Sequence, residues 1–130
     1  MKKIPEAVGP YSAFRKAGDF LYISGQIAIN PENQKIEAIT VEEQAKQVLS
    51  SINFSIEEYD DTNVKLTNGL TTQNVIKTTV LLDNIADFGA VNEIYANYFV
   101  EPFPARSAFA VDKLPKNVLV EIEAIAYCGK

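Results

Sequence analysis

Residues 118–127, Val-Leu-Val-Glu-Ile-Glu-Ala-Ile-Ala-Tyr, read as one strand with two different faces. Val118, Val120, Ile122, Ala124 and Ala126 form a small apolar strip that suits a layer of helices. The other face carries Leu119, Glu121, Glu123, Ile125 and Tyr127, three apolar side chains with two carboxylates among them. Soluble proteins tolerate a half-wet sheet face with scattered aromatics. A surface buried against another subunit, with a polar pocket inside it, accounts better for this pattern, because apolar patches often mark contacts.

The rest of the chain must supply the strand's neighbours. Tyr11–Lys16 and Phe20–Ser24 form a hairpin around the turn Ala17-Gly18-Asp19, and Gly25 interrupts its second strand as a bulge or a close backbone approach. Asn30-Pro31-Glu32-Asn33 is a turn cluster. Thr40 with Glu43 makes a capping box, followed by an apolar stripe at Val41, Ala45, Val48, Leu49, Ile52 and Ile56. That helix should end near Glu58 or Tyr59. Asp60–Gln73 is polar and aperiodic, a long connection expected to decorate the surface. Val75–Leu82 is an interior strand by its β-branched content. A second helix follows, capped by Asn84, with Phe88, Val91, Tyr95, Tyr98 and Phe99 as its stripe. Ala105–Val111 and Val118–Tyr127 complete the order β-β-α-β-α-β-β. This predicts a single α+β domain over residues 1–130, with one mixed sheet and both helices on one face.

Composition narrows the chemistry. The 130 residues contain no His and one Cys, Cys128. A Ser-His-Asp triad, a Cys-His pair and a His-ligated zinc or haem are therefore excluded, as is a disulfide within one chain. The basic start, Met1-Lys2-Lys3, precedes no apolar leader, and no stretch approaches the ~20 apolar residues of a membrane span. A cytoplasmic protein without membrane contact is the expectation. Twelve Lys and Arg against seventeen Asp and Glu leave a net charge of −5, a poor start for binding nucleic acid. Catalysis would fall to Asp, Glu, Lys, Arg, Tyr, Ser, Thr, backbone amides or a cofactor.

Arg106 is the most informative candidate. It follows Pro102-Phe103-Pro104-Ala105 on a predicted strand among apolar neighbours, where an unpaired guanidinium is costly. Two readings stand side by side: an internal ion pair with Glu121 or Glu123 on a neighbouring strand, or an anchor whose fork takes a ligand's carboxylate. Ser24-Gly25-Gln26 offers a small residue and exposed amides as a pocket wall. Tyr11 places a phenol after the rigid Gly9-Pro10 turn, and Asn92 stands one turn beyond Phe88 on the second helix.

Taken in order, Gly9-Pro10-Tyr11, Ser24-Gly25-Gln26, Asn30-Pro31, Lys77-Thr78-Thr79-Val80, Asp87-Phe88, Val91-Asn92, Tyr95, Phe103-Pro104-Ala105-Arg106-Ser107, Leu114-Pro115-Lys116 and Val120–Ala126 resemble the reactive intermediate deaminase family. It is also known as RidA, YjgF, perchloric-acid-soluble protein or endoribonuclease L-PSP. The resemblance covers nearly the whole chain. It implies a chorismate-mutase-like fold with a six-stranded type of sheet, a homotrimer around a central barrel, and sites in the clefts between subunits. It also implies hydrolysis of 2-imino acids, released as enamines, to 2-keto acids and ammonia without a cofactor or metal. By that pattern Arg106 binds the substrate carboxylate and Glu121 handles the water. Tyr11, Ser24, Gly25, Phe88, Asn92 and the backbone of Ala108 would line the pocket. Two departures stand out: Ala108 replaces a Cys common in the family, and the 60–73 connection is longer than usual.

Two rival functions remain at this level. A non-catalytic module binding small carboxylates or keto acids would keep Arg106 and the pocket without turnover. A ribonuclease or translation inhibitor fits less well with the missing His and the acidic balance.

Overall fold

In the β-hairpin at the start, Gly18 makes the turn possible. Its φ of +60° is one that side-chain-bearing residues rarely adopt, and Ala17 pairs with Phe20 directly across a two-residue turn. The computed structural model describes residues 6–7, 9–62 and 74–128. The hairpin strands are β1 (Phe14–Ala17) and β2 (Phe20–Gln26). Strand β1 begins three residues later than expected, because Tyr11 is held in a turn by its N–H donating to the Gly9 carbonyl at 2.8 Å.

Helix α1 (Val41–Thr62) starts where the capping box places it. The Glu43 N–H donates to Thr40 Oγ1 at 3.1 Å, and Thr40 Oγ1 donates to Glu43 Oε1 at 3.0 Å. The helix runs three residues past Tyr59, and the rest of the expected 60–73 connection lies outside the described residues. Strand β3 (Val75–Leu82) matches its expected bounds. Asn84 caps a 3-10 turn (Ile85–Asp87), accepting from the Ala86 N–H, before α2 (Phe88–Tyr98) begins. Strands β4 (Ala105–Ala110) and β5 (Val120–Tyr127) complete the sheet.

The sheet order is β1-β2-β5-β3-β4, with β5 in the centre. All pairings are antiparallel except β3–β4, whose parallel register is reached through the α2 crossover. Five strands are present among the described residues, one fewer than the six-stranded type implied by the resemblance. After Gln26 the chain does not lengthen the sheet. It closes on itself through the Asn30–Lys35 bridge, with Asn30 and Asn33 side chains donating to the Glu37 carboxylate.

One face of the sheet is covered by both helices. Leu21 and Ile23 of β2, Val80 and Leu82 of β3, and Val120, Ile122, Ala124 and Ala126 of β5 are buried against the α1 stripe, Val91, Tyr95 and Phe99; Val118, also buried, precedes the strand. The other face is open. Register puts Phe20, Tyr22, Ile125, Tyr127, Leu81 and Phe109 together on it, and Phe20, Tyr22, Phe109 and Tyr127 are exposed.

Candidate functional site

Strand alternation decides which site residues can meet. Arg106 pairs with Thr78, whose side chain is fully buried on the helix-covered face, so Arg106 points toward α2. Glu121 pairs with Leu81 and belongs to the open face. The two residues expected to share the chemistry therefore lie on opposite sides of the same sheet. Strand β3 also separates β4 from β5. The internal ion pair of Arg106 with Glu121 or Glu123 is thereby ruled out, because the intervening strand and the alternation keep the charges apart.

Arg106 instead sits in a clamp built by α2. Its Nη1–H donates to Asn92 Oδ1 at 2.7 Å. Its Cζ lies 4.8 Å from the Tyr95 ring centroid and 5.3 Å from that of Phe88. Phe88, Asn92 and Tyr95 recur at helical spacing, which presents all three to one strand position. No carboxylate among the described residues pairs with this half-buried guanidinium. Beside it is a hollow of about 340 Å³ lined by Asn92, Tyr95, Ala96, Phe103, Pro104 and Arg106. Ala108, two residues on, turns its methyl to the same side and packs against the core.

The second group surrounds a hollow of about 460 Å³ on the open face. Tyr11, Ser24, Gly25 and Glu121 line it, with Glu6, Gln26, Pro115, Lys116 and Glu123. The β2–β5 register slips between Ile23 and Gln26, so the bulge expected at Gly25 is present. Gln26 Nε2 donates to the Ser24 carbonyl at 3.0 Å across that bulge. Gly25 is needed here for space: it lacks the positive φ of Gly18, and a Cβ on it would collide with the Glu121 carboxylate. The Ser24 hydroxyl donates to the Ser12 carbonyl at 2.6 Å, tying the segment before β1 to the pocket wall.

Burial raises the Glu121 carboxyl above its ordinary value of 4.5, and the nearby Glu123 charge pushes the same way. Arg106, on the other side of the sheet, is not among the causes of this shift. Burial likewise raises Tyr95, with the Thr78 hydrogen bond and Arg106 acting in the opposite direction. No group of three or more His, Cys, Asp or Glu among the described residues is placed to hold a metal ion. No helix among them is long and apolar enough to cross a membrane.

The structure therefore gathers Tyr11, Ser24, Gly25 and Glu121 in one place and Phe88, Asn92 and Arg106 in another. It adds Tyr95, Thr78 and Lys116. Tyr95 reads in sequence as core, and its position one turn after Asn92 is the only local hint of its contact with Arg106. Lys116 adopts φ +55°, an unusual backbone for a lysine at a pocket rim, and nothing in Leu-Pro-Lys-Asn announces it.

The model of the family described as Endoribonuclease L-PSP matches residues 1–128. The chain belongs to this family. A RutC family protein of Pyrococcus abyssi is 42% identical over 126 residues, covering 97% of this chain and 92% of the relative. A human protein named 2-iminobutanoate/2-iminopropanoate deaminase is 42% identical over 127 residues, covering 98% and 86%. Among solved structures, Escherichia coli TdcF with bound serine superposes with a TM-score of 0.85 at 33% identity, covering 98% of this chain and 94% of that one. In this L-PSP chain the α+β architecture agrees with that likeness.

Proposed function

We propose that the protein is a cofactor-independent deaminase. It hydrolyses small 2-imino acids and their enamine tautomers to 2-keto acids and ammonia, as a homotrimer with its sites between copies. One observation carries the reading: Arg106 is half-buried, gripped by an amide and two rings, and left without a carboxylate partner among the described residues. Its remaining donors suit a planar carboxylate. The names of similar proteins point to the same chemistry. Serine and 2-iminobutanoate each carry a carboxylate next to a carbon bearing nitrogen.

With the carboxylate on Arg106, the imine carbon is presented to a water held by Glu121. The Glu121 carboxylate accepts a proton as the water oxygen bonds to the imine carbon and the C=N π electrons move onto nitrogen; passing that proton to the nitrogen gives a carbinolamine. Glu121 then takes the hydroxyl proton and delivers it to the amine, so that the C–N bond breaks, ammonia leaves and a C=O group remains. A carboxyl raised by burial alternates between these roles at milder pH than an exposed Glu would. Because Arg106 and Glu121 face opposite sides of the sheet, the reading assigns the two groups at each site to different copies. The open-face hollow carries Glu6, Glu121 and Glu123 beside Lys116, a poor seat for RNA phosphates.

Subunit complementation tests this. Arg106→Ala and Glu121→Ala proteins should each lose ammonia release from freshly generated 2-iminobutanoate. Refolded together, they should regain part of it, because mixed trimers rebuild some sites from one intact Arg106 and one intact Glu121. No recovery in verified mixed trimers would sink the shared site. Saturable pyruvate binding without any turnover would replace the enzyme by a carboxylate-binding module.

A further inference from the structure

We propose that Tyr95, held by Thr78, is a positioning residue for Arg106, and that Asn92 serves the same guanidinium. Tyr95 borders the hollow beside Arg106 but is only 5% exposed, so it presents little surface to a ligand. It lies under the arginine head group at 4.8 Å, while its hydroxyl stands 2.7 Å from Thr78 Oγ1 in a buried contact. The ring is further packed on Phe99, with centroids 4.6 Å apart. Thr78 is also the direct backbone partner of Arg106 across β3 and β4. The strand pair that sets the arginine backbone thus also anchors the phenol beneath its side chain.

The consequence is orientational. A flexible arginine would have to be ordered by its ligand, and that ordering would weaken binding. With one Nη1–H on Asn92 and the plane resting on two rings, the fork is fixed before a ligand arrives. Its other N–H groups have no acceptor among the described residues, and they stand beside the Phe103–Pro104 hollow. The buried Thr78 hydroxyl, a weak choice for an interior strand position on packing grounds, acquires a purpose as the tether.

The inference rests on the deaminase reading only for what Arg106 binds, so the test has a ligand-free arm. In the intact protein, the Arg106 side-chain Nε–H signal should be displaced by the currents of the two rings. Thr78→Val should move it toward the position of an exposed arginine, and Thr78→Ser should keep it in place. The second arm measures the pyruvate Kd and the kinetics on 2-iminobutanoate. Thr78→Val should raise Kd and KM about three- to ten-fold with kcat little changed, the pattern of a lost ground-state grip. Tyr95→Leu should do more where it folds, and Thr78→Ser should restore normal values. A fall in melting temperature with the Arg106 signal, Kd and KM unmoved would make Tyr95 and Thr78 ordinary core residues and overturn the proposal. If the unaltered protein neither bound pyruvate nor hydrolysed the imine, the deaminase reading would fall, while the spectroscopic arm still decides this one.

Discussion

Gly25 shows how one missing side chain can set the position of another. The space where its Cβ would stand is taken by the Glu121 carboxylate, so Gly25→Ala must displace that group. The displaced atoms end a flexible side chain, so the fold should absorb the change. Misplacing a catalytic group by an ångström can cost on the order of 10²-fold in rate. Gly25→Ala should therefore lower kcat strongly with a nearly normal melting temperature, and a parallel loss of both would point to plain overpacking instead. Glu121 itself makes a pH prediction. In the proposed reaction Glu121 is the base and must be ionised, so kcat/KM should rise with pH through a limb displaced above the ordinary carboxylate range. Glu123→Gln removes one of the two causes and should move that limb down. Glu121→Gln should lower turnover by about 10²–10⁴, the usual weight of general base catalysis, and abolish the limb. Its effect on stability has the opposite sense from that of a salt-bridged carboxylate. A folded pKa above the unfolded one means the native state holds the extra proton, so Glu121's contribution is present at low pH and lost as pH rises through the folded value. Glu121→Gln should accordingly be stabilising near neutrality, with the gain vanishing toward pH 4; pH-resolved thermal unfolding measures it.

At the scale of elements, α1 and the β2 bulge do different work. Helix α1 is held by the Thr40–Glu43 box and by an apolar inner stripe with Gln44, Ser51 and Ser55 buried beside it, and none of these residues lines either hollow. Thr40→Ala should cost about 1 kcal/mol of stability, the usual worth of a cap, and leave kcat and KM alone. Calorimetry with parallel kinetics checks both halves. The bulge is short but positions the candidate site. By slipping the β2–β5 register it brings Gly25 and Ser24 to the Glu121 side, and Gln26 closes across it. Helix α2 plays the matching part on the other face, where three residues of one stripe clamp a single arginine.

For the whole molecule the open sheet face is the main fact. Phe20, Tyr22, Phe109 and Tyr127 are exposed together on one side of a sheet whose other side carries both helices. Assembly of three 14.4 kDa chains through this face would cover them and bring one copy's Arg106 edge toward another's Glu121 hollow. Sedimentation equilibrium should give the trimer mass at micromolar concentration. Phe109→Asp, which leaves both hollows untouched within the chain, should dissociate it and abolish turnover together. An active monomer would contradict the assembly and the shared site at once.

The elements were legible in sequence because each is specified locally. A capping box starts α1, β-branched residues make β3, and strict alternation at 118–127 separates a core strip from a second face. The residues Arg106, Glu121, Gly25 and Asn92 could be singled out as well, through their chemistry and their likeness to a family. Their grouping could not. Whether Arg106 meets Glu121 depends on strand order and on which way each side chain faces, and both are set by pairings across 28 to 51 residues of chain. Only the tertiary structure places β3 between β4 and β5 and gives Arg106 an amide and two rings for company. The role of Tyr95 was hidden for the same reason. Helical periodicity marks a residue as inward-facing, but the strand residue waiting there is decided by the packing of α2 on β4.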